Sequence, residues 1–142
     1  MGNVNPTATQ IEALAAGDMD APIAMINLLR FREQAEYAED LEADPCTGHE
    51  AYGRYTEGAL VALAKIGARP IWSAQAHQVA IGPEDESWDR AFIVHYPSLA
   101  KFLEMIGDPD YQAFVPHRTA ALADSRLIRC DGSDDSLELP AG

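Results

Sequence analysis

Two stretches of the chain are apolar at nearly every position. They span residues 22–31 (PIAMINLLRF) and residues 88–97 (WDRAFIVHYP). A strand that is buried on both faces has such a continuous pattern, whereas a strand with one solvated face alternates. The pattern therefore predicts two central strands of a sheet. Residues 69–82 alternate in part and predict a strand that forms a hairpin with 88–97, and residues 125–130 predict a last short strand.

Helical periodicity occupies the intervals between these strands. Thr47 and Glu50 have the spacing of a capping box, and the apolar residues after them recur every three or four positions until Gly67. Ser98 begins a second such segment, and residues 7–16 predict a short helix near the N-terminus. The order is strand, helix, strand, strand, helix, strand after an extra helix. It predicts an α+β protein with the ferredoxin-like split βαβ (βαββαβ) fold, an antiparallel sheet with helices on one face.

Length and composition are those of one ordinary globular domain. The chain has 142 residues, of which 47% are hydrophobic and 23% are charged. We predict a single domain over residues 1–142, with its core at about 22–130, an N-terminal helical extension over 1–21 and an acidic tail over 131–142. No apolar run approaches the ~20 residues needed to span a bilayer, and no signal-peptide pattern opens the chain. We expect a cytoplasmic protein that does not contact membranes.

The net charge of −13 bears on possible partners and cofactors. Acidic patches over residues 33–50, 84–89 and 131–138 repel phosphate backbones, so we expect no nucleic-acid partner. No glycine-rich phosphate loop is present, and no histidines share the spacing of a metal-binding helix. We therefore expect no cofactor and no metal. The two cysteines, Cys46 and Cys130, are expected to be reduced thiols.

One face of the predicted sheet has no helix to cover it. Two helices cover only one face, yet residues 22–31 and 88–97 are apolar on both. An exposed apolar face of this size marks an interface. The simplest cover is a second copy of the same sheet, so the sequence predicts a homodimer in which two sheets close toward a barrel.

Several segments, in this order, resemble one bacterial family. They are MINLLRF, GHEAYGRY, WDRAFIVHYPS and DPDYQAFVPHRTAALADSRLI, and they fall within residues 23–130. The family is the domain of unknown function thirteen-thirty, within the dimeric α/β-barrel superfamily. The resemblance implies a ferredoxin-like dimer with a pocket between sheet and helices in each subunit. It implies no reaction, because the family has none established; related families include cofactor-free monooxygenases, muconolactone isomerases, haem-degrading enzymes and stress-induced barrels.

Ligand-binding candidates come from polar groups within the apolar pattern. Tyr52 and Tyr55 lie at one end of an otherwise aliphatic helix face, which suggests a partly polar cavity there; alternatively, both rings pack with their hydroxyls at the rim. Asn27 lies within an apolar strand and either orients a ligand or bonds to neighbouring backbone. Trp72 and His95 are further candidates on predicted strands. For His95, as for His77, a place at the dimer interface or rim is the alternative.

The segment DPDYQAFVPHR, residues 108–118, supplies the catalytic candidates. Its first residue caps a helix, and Pro116 must kink or restart that helix. His117 and Arg118 follow at the break, where they could act as general acid or base and as electrostatic clamp for a carboxylate or enolate. The alternative is structural, with Arg118 paired to Asp108, Asp110 or Asp124 and His117 solvated.

These observations leave more than one class of function. The chain could be a cofactor-independent enzyme that performs proton transfer, isomerisation or monooxygenation on a small organic acid or aromatic compound. It could instead be a non-catalytic barrel that binds a small molecule or only assembles. Haem binding is a third hypothesis and requires an axial histidine in the pocket. The acidic loop over residues 32–47 could close over that pocket as a lid.

Overall fold

The elements follow the predicted order in a computed structural model that describes residues 2–133. In chain order they are α1 (Ala8–Ala15), β1 (Ile23–Phe31), α2 (Gly48–Lys65), β2 (Arg69–Gln75), β3 (Arg90–Tyr96), α3 (Leu99–Gly107), α4 (Pro109–Gln112), α5 (Val115–Ala121) and β4 (Leu122–Asp131). The strands form one antiparallel sheet in the order β2-β3-β1-β4. The predicted α+β, ferredoxin-like architecture is confirmed. The acidic tail beyond residue 133 lies outside the described residues.

The predicted caps set the helix starts. The Thr47 hydroxyl accepts from the Glu50 amide while the Glu50 carboxylate accepts from the Thr47 amide, a complete capping box. Ser98 caps α3, and Asp108 caps α4. A two-residue turn at Ala113 and Phe114 separates α4 from α5, which has Pro116 in its first turn. Pro116 has no amide hydrogen to donate, so a first turn is where it is tolerated.

The helices cover one face of the sheet. On β1 the fully buried side chains are Ile23, Met25 and Leu29, and on β3 they are Val94 and Tyr96. These alternate positions point to the same face because side chains on a strand alternate with a period of two. All but Leu29 pack into the main core together with residues of α2, α3 and α4, and Leu29 belongs to a smaller core beneath the start of α2.

The opposite face of the sheet carries an uncovered apolar row. Trp72, Ile93, Ile26 and Ile128 are neighbours in register across all four strands. The edge members Trp72 and Ile128 are 52% and 48% exposed. Strands apolar on both faces, as the sequence predicts, therefore leave an apolar surface on this monomer.

Two sequence predictions about β2 are wrong. The strand predicted over residues 69–82 ends at Gln75, and His77 lies in the connection to β3 rather than on a strand. The amide of Ala76 still donates to the carbonyl of Asp89, and β3 offers no partner farther along. The connection then turns away from the sheet, and Ile81 within it is 97% exposed. The hairpin between β2 and β3 is nevertheless present.

The acidic loop between β1 and α2 is only partly exposed. Cys46 is buried, and Tyr37 packs against the same small core beneath the start of α2. An isolated bridge joins Gln34 to Thr47 and closes the base of the loop. No helix among residues 2–133 is both long enough and apolar enough to cross a membrane.

Candidate functional site

A cavity of about 1380 Å³ lies between the sheet and its helices. Met25, Asn27, Phe92 and Val94 on the covered sheet face line it from one side. The inward face of α2 lines it from the other, because residues three and four apart share one side of a helix. Along α2 this face first presents the phenol rings of Tyr52 and Tyr55. The aliphatic side chains of Ala59 and Leu63 follow.

Four tyrosines meet in this cavity. The hydroxyls of Tyr55 and Tyr111 are 2.7 Å apart and share a hydrogen bond. Tyr52 and Tyr96 line the same space. Phenols at several positions therefore face one ligand-sized volume.

Burial keeps the phenols of Tyr52, Tyr55 and Tyr96 neutral. It raises the pKa of Tyr52 to about 12, although the nearby Arg118 charge opposes that rise. Burial first, and then the neighbouring phenols, raise the pKa of Tyr55 and of Tyr96 well above the usual value. A neutral phenol donates a hydrogen bond and does not act as a base at neutral pH. The hydroxyls are therefore suited to a ligand oxygen that carries negative charge.

Arg118 brings a positive charge to the cavity wall. It lies on α5 and its Nη1 donates to the backbone carbonyl of Val4 at 2.6 Å. The sequence also allowed an ion pair between Arg118 and one of three aspartates. In the structure these aspartates pair elsewhere: Asp108 and Asp110 with Lys65, and Asp124 with Arg126. Within residues 2–133 no carboxylate lies at ion-pair distance from Arg118. Its charge is available to a ligand.

The cavity lining is positive although the protein is strongly acidic. Its arginines are Arg90, Arg118, Arg126 and Arg129. In the part of the chain that the structure describes, Glu57 is the one carboxylate in the lining. Arg126 is compensated by Asp124 and by Glu86. The remaining arginines still give the cavity a charge opposite to that of the chain as a whole, −13.

His117 lies outside this cavity, although it is next to Arg118 in sequence. Its Nδ1 is 2.7 Å from the hydroxyl of Tyr37, which also accepts from Arg54 at 3.1 Å. Arg54 can only donate, so the Tyr37 hydrogen is left for Nδ1 and the neutral ring carries its proton on Nε2. Partial burial and then the Arg54 charge lower the pKa of His117. The structure thus separates the two catalytic candidates.

The ligand-binding candidates also divide between two locations. Asn27, Tyr52 and Tyr55 line the cavity, and the Asn27 amide donates to the carbonyl of Met25 at 3.2 Å. Trp72 is on the uncovered face of the sheet. His95 is also on that face, where its Nε2 is 3.1 Å from the carbonyl of Gly132.

Sequence reasoning missed several residues of the cavity. Tyr96 follows Phe92 and Val94 on the same strand face, and this alternation could have identified it. Tyr111 is within the helix that Asp108 caps, but its bond to Tyr55 joins residues 56 positions apart. Residues 3–7 also line the cavity, and no sequence pattern indicates this. The loop over residues 32–47 contributes no lining residue, so it is not a lid in this conformation.

Metal and haem sites depend on which ligands meet. Among residues 2–133, no three or more His, Cys, Asp or Glu side chains are grouped as a metal ion would require. Within those residues His49 is the one histidine of the cavity lining; it is exposed at the rim with its ring against Phe31. Among residues 2–133, His49 is the histidine that could serve as an axial ligand for haem in this cavity.

Comparisons with known proteins identify relatives of unknown function. The profile of a family described as domain of unknown function (DUF1330) matches residues 45–132. A protein of unknown function from Rhodopseudomonas palustris, RPA0582, is 42% identical; its crystal structure aligns over 92% of this chain and 97% of that chain, with a TM-score of 0.84. A crystal structure of the methylated RPA0582 protein gives a TM-score of 0.85 at the same identity, over 92% of this chain and 94% of that chain.

A more distant structure supports the fold alone. It is a Bacteroides fragilis protein described as dimeric, of unknown function and with a ferredoxin-like fold. It is 14% identical and aligns over 80% of this chain and 99% of that chain, with a TM-score of 0.51. No curated protein gives a significant match.

Proposed function

The chain belongs to the DUF1330 family, and we propose that it binds a small organic anion with an apolar body in the cavity between sheet and helices. The family resemblance found in the sequence is thereby confirmed, and it supplies no reaction. The proposal therefore depends on the cavity itself. One observation carries it: neutral phenols face the same largely apolar space as Arg118, which has no carboxylate partner among residues 2–133.

Each part of the cavity suits one part of such a ligand. Phe92, Val94 and Phe102 offer apolar and aromatic surface for a flat organic body. Arg118 and the hydroxyl of Tyr52 offer a charged and a neutral donor for its anionic oxygens. A cavity rich in arginine within an acidic protein favours an anion over a neutral or cationic ligand.

Cofactor-independent catalysis is a second candidate function. Neutral phenols beside a guanidinium can stabilise an enolate or other oxyanion as it forms, in the manner of an oxyanion hole. The reaction class would be proton transfer next to a carbonyl group. The cavity-lining histidine, His49, is at the rim, whereas His117 is bonded to Tyr37 outside the cavity. Binding without turnover is therefore the better supported function.

Calorimetric titration with a matched pair of compounds tests the binding proposal. 2-Naphthoate and 2-naphthamide share one apolar body and differ in charge. We expect the wild-type protein to prefer the carboxylate, and Arg118→Gln to reduce that preference about tenfold or more, because a hydrogen bond to a charged group is lost. Tyr52→Phe should weaken naphthoate binding about fivefold.

A control variant and a contrary outcome complete this experiment. His117→Gln changes a neighbouring residue outside the cavity and should leave both affinities as they are. Equal binding of carboxylate and amide by the wild type, or an unchanged preference in Arg118→Gln, would contradict the proposal. For the catalytic candidate, NMR in D₂O follows exchange of the C3 protons of phenylpyruvate; exchange at the buffer rate would exclude enolisation of this compound.

We further propose that the uncovered sheet face binds a second copy of the chain. The apolar row of Trp72, Ile93, Ile26 and Ile128 crosses the whole sheet. A two-fold pair of such faces is self-complementary and removes the row from water. The dimeric description of the Bacteroides fragilis protein, which has the same fold, supports this assembly.

A further inference from the structure

The N-terminal segment formed by residues 2–5 contacts Arg118, the side chain whose charge an anionic ligand would need. We call this segment the strap. The Ser125 hydroxyl donates to the carbonyl of Asn3 at 2.7 Å, and the Asn3 amide donates to a carboxylate oxygen of Asp124 at 2.9 Å. The next carbonyl, that of Val4, accepts from Nη1 of Arg118. The strap thus runs over the start of β4 and reaches the cavity wall at Arg118.

The fit of the strap is tight at its beginning. A Cβ atom on Gly2 would lie 1.6 Å from the carbonyl oxygen of Ala123, so the strap can sit here only with glycine at that position. The helix that follows, α1, has no buried residue within Ala8–Ala15. The strap is held by its hydrogen bonds and by Val4, which packs against the smaller core, while Leu14 of α1 packs against the main core.

We propose that the Val4 carbonyl is the resident occupant of the anion-binding position, and that a bound carboxylate takes its place on Arg118. This inference rests on the proposed function and adds its regulation. A carboxylate forms shorter and stronger bonds to guanidinium than a neutral carbonyl does. It binds best through two parallel N–H groups, and Val4 holds Nη1. The strap accordingly competes with the ligand, and its release increases affinity for anions only.

Gly2→Ala tests the strap directly, with Gly107→Ala as the matched control. The added methyl group clashes with backbone at Gly2, whereas a Cβ on Gly107 meets nothing within 4 Å. Phenylglyoxal labelling of Arg118, followed by peptide mass spectrometry without ligand, reports whether the strap has moved. We expect labelling about fivefold faster in Gly2→Ala, the effect of losing one hydrogen bond, and the wild-type rate in Gly107→Ala.

Titration of the same proteins then reports competition. Affinity for 2-naphthoate should rise about fivefold in Gly2→Ala, while affinity for 2-naphthamide stays the same. Asn3→Pro, which removes the amide that donates to Asp124, is a second way to release the strap and should also accelerate the labelling of Arg118.

The contrary outcomes are distinct from one another. If neither variant accelerates labelling, the strap does not shield Arg118 and the inference fails. If labelling accelerates but naphthoate affinity does not rise, the ligand and Val4 share Arg118 rather than compete, which also overturns it. If wild type and variants all bind naphthoate no better than naphthamide, the proposed function itself fails, whatever the labelling shows.

Discussion

At the scale of single residues, His117 shows how burial and one neighbour set a protonation state. Its ring accepts from Tyr37, and the Arg54 guanidinium lies beyond that hydroxyl. A proton added to Nδ1 would have to replace the hydrogen that Tyr37 donates and would place a second cation near Arg54. The network therefore favours the neutral ring, in agreement with the lowered pKa of His117.

This gives a pH dependence of stability with a definite sign. In the unfolded chain the pKa of His117 returns to about 6.5, above its value in the folded protein. As the pH falls below about 6.5, the unfolded state binds more protons than the folded state, so the free energy of unfolding decreases. We expect His117→Gln to lose less stability than wild type between pH 7.5 and pH 5 in urea unfolding. His77→Gln, in an exposed connection, is the control; parallel curves for wild type and His117→Gln would contradict this.

The sequence predicts cavity residues where local periodicity places them and fails where distant segments meet. Tyr52 and Tyr55 follow from the helical repeat of α2. The Arg118 contact with Val4 joins residues 114 positions apart, and that of His117 with Tyr37 joins residues 80 apart. No pattern along the chain encodes such pairs, because they arise only after the sheet and helices have packed.

At the scale of elements, two of the three glycines of α2 have opposite surroundings. A Cβ on Gly58 would lie 2.1 Å from the ring of Phe114, just before α5, whereas a Cβ on Gly53 would meet nothing within 4 Å. Glycine at position 58 therefore allows α2 and the α5 region to approach closely. At position 53 it only reduces the helix propensity.

The two substitutions should consequently have opposite effects on stability. We expect Gly53→Ala to raise the free energy of unfolding by about 1 kcal/mol through helix propensity. Gly58→Ala gains the same propensity but overpacks the contact with Phe114, and we expect a net loss of about 1–3 kcal/mol. Chemical denaturation of both variants beside wild type measures the difference. A stabilised Gly58→Ala would show that α2 and Phe114 can separate without cost.

Element types were more predictable than element lengths. The continuous apolar runs identified β1 and β3. The capping box located the start of α2, and single capping residues located the starts of α3 and α4, because these signals are local. β2 was predicted too long because alternation continues past Gln75 although its partner strand does not. Strand length depends on the neighbour, which the periodicity of one segment does not report.

At the scale of the whole molecule, the proposed dimer can be broken through its apolar row. Ile128 lies on the uncovered sheet face, and Ile128→Lys would place two charges between the paired sheets. We expect this variant to be a folded monomer of about 15.4 kDa by light scattering, whereas wild type has twice that mass. Val61→Lys is the control, because Val61 is 67% exposed on α2. A monomeric wild type, or a dimeric Ile128→Lys, would contradict the assembly.

The arginines of the cavity lie inside a protein whose exterior carries excess negative charge. An anion in solution is therefore repelled before it is attracted, and the barrier acts at long range while the attraction acts at contact. Added salt screens the long-range part first. A higher ionic strength should therefore increase the association rate constant of the ligand and decrease its affinity. The rate and the affinity thus respond to salt in opposite directions. The acidic surface limits how often any anion reaches the cavity, and the cavity alone determines which anion remains bound.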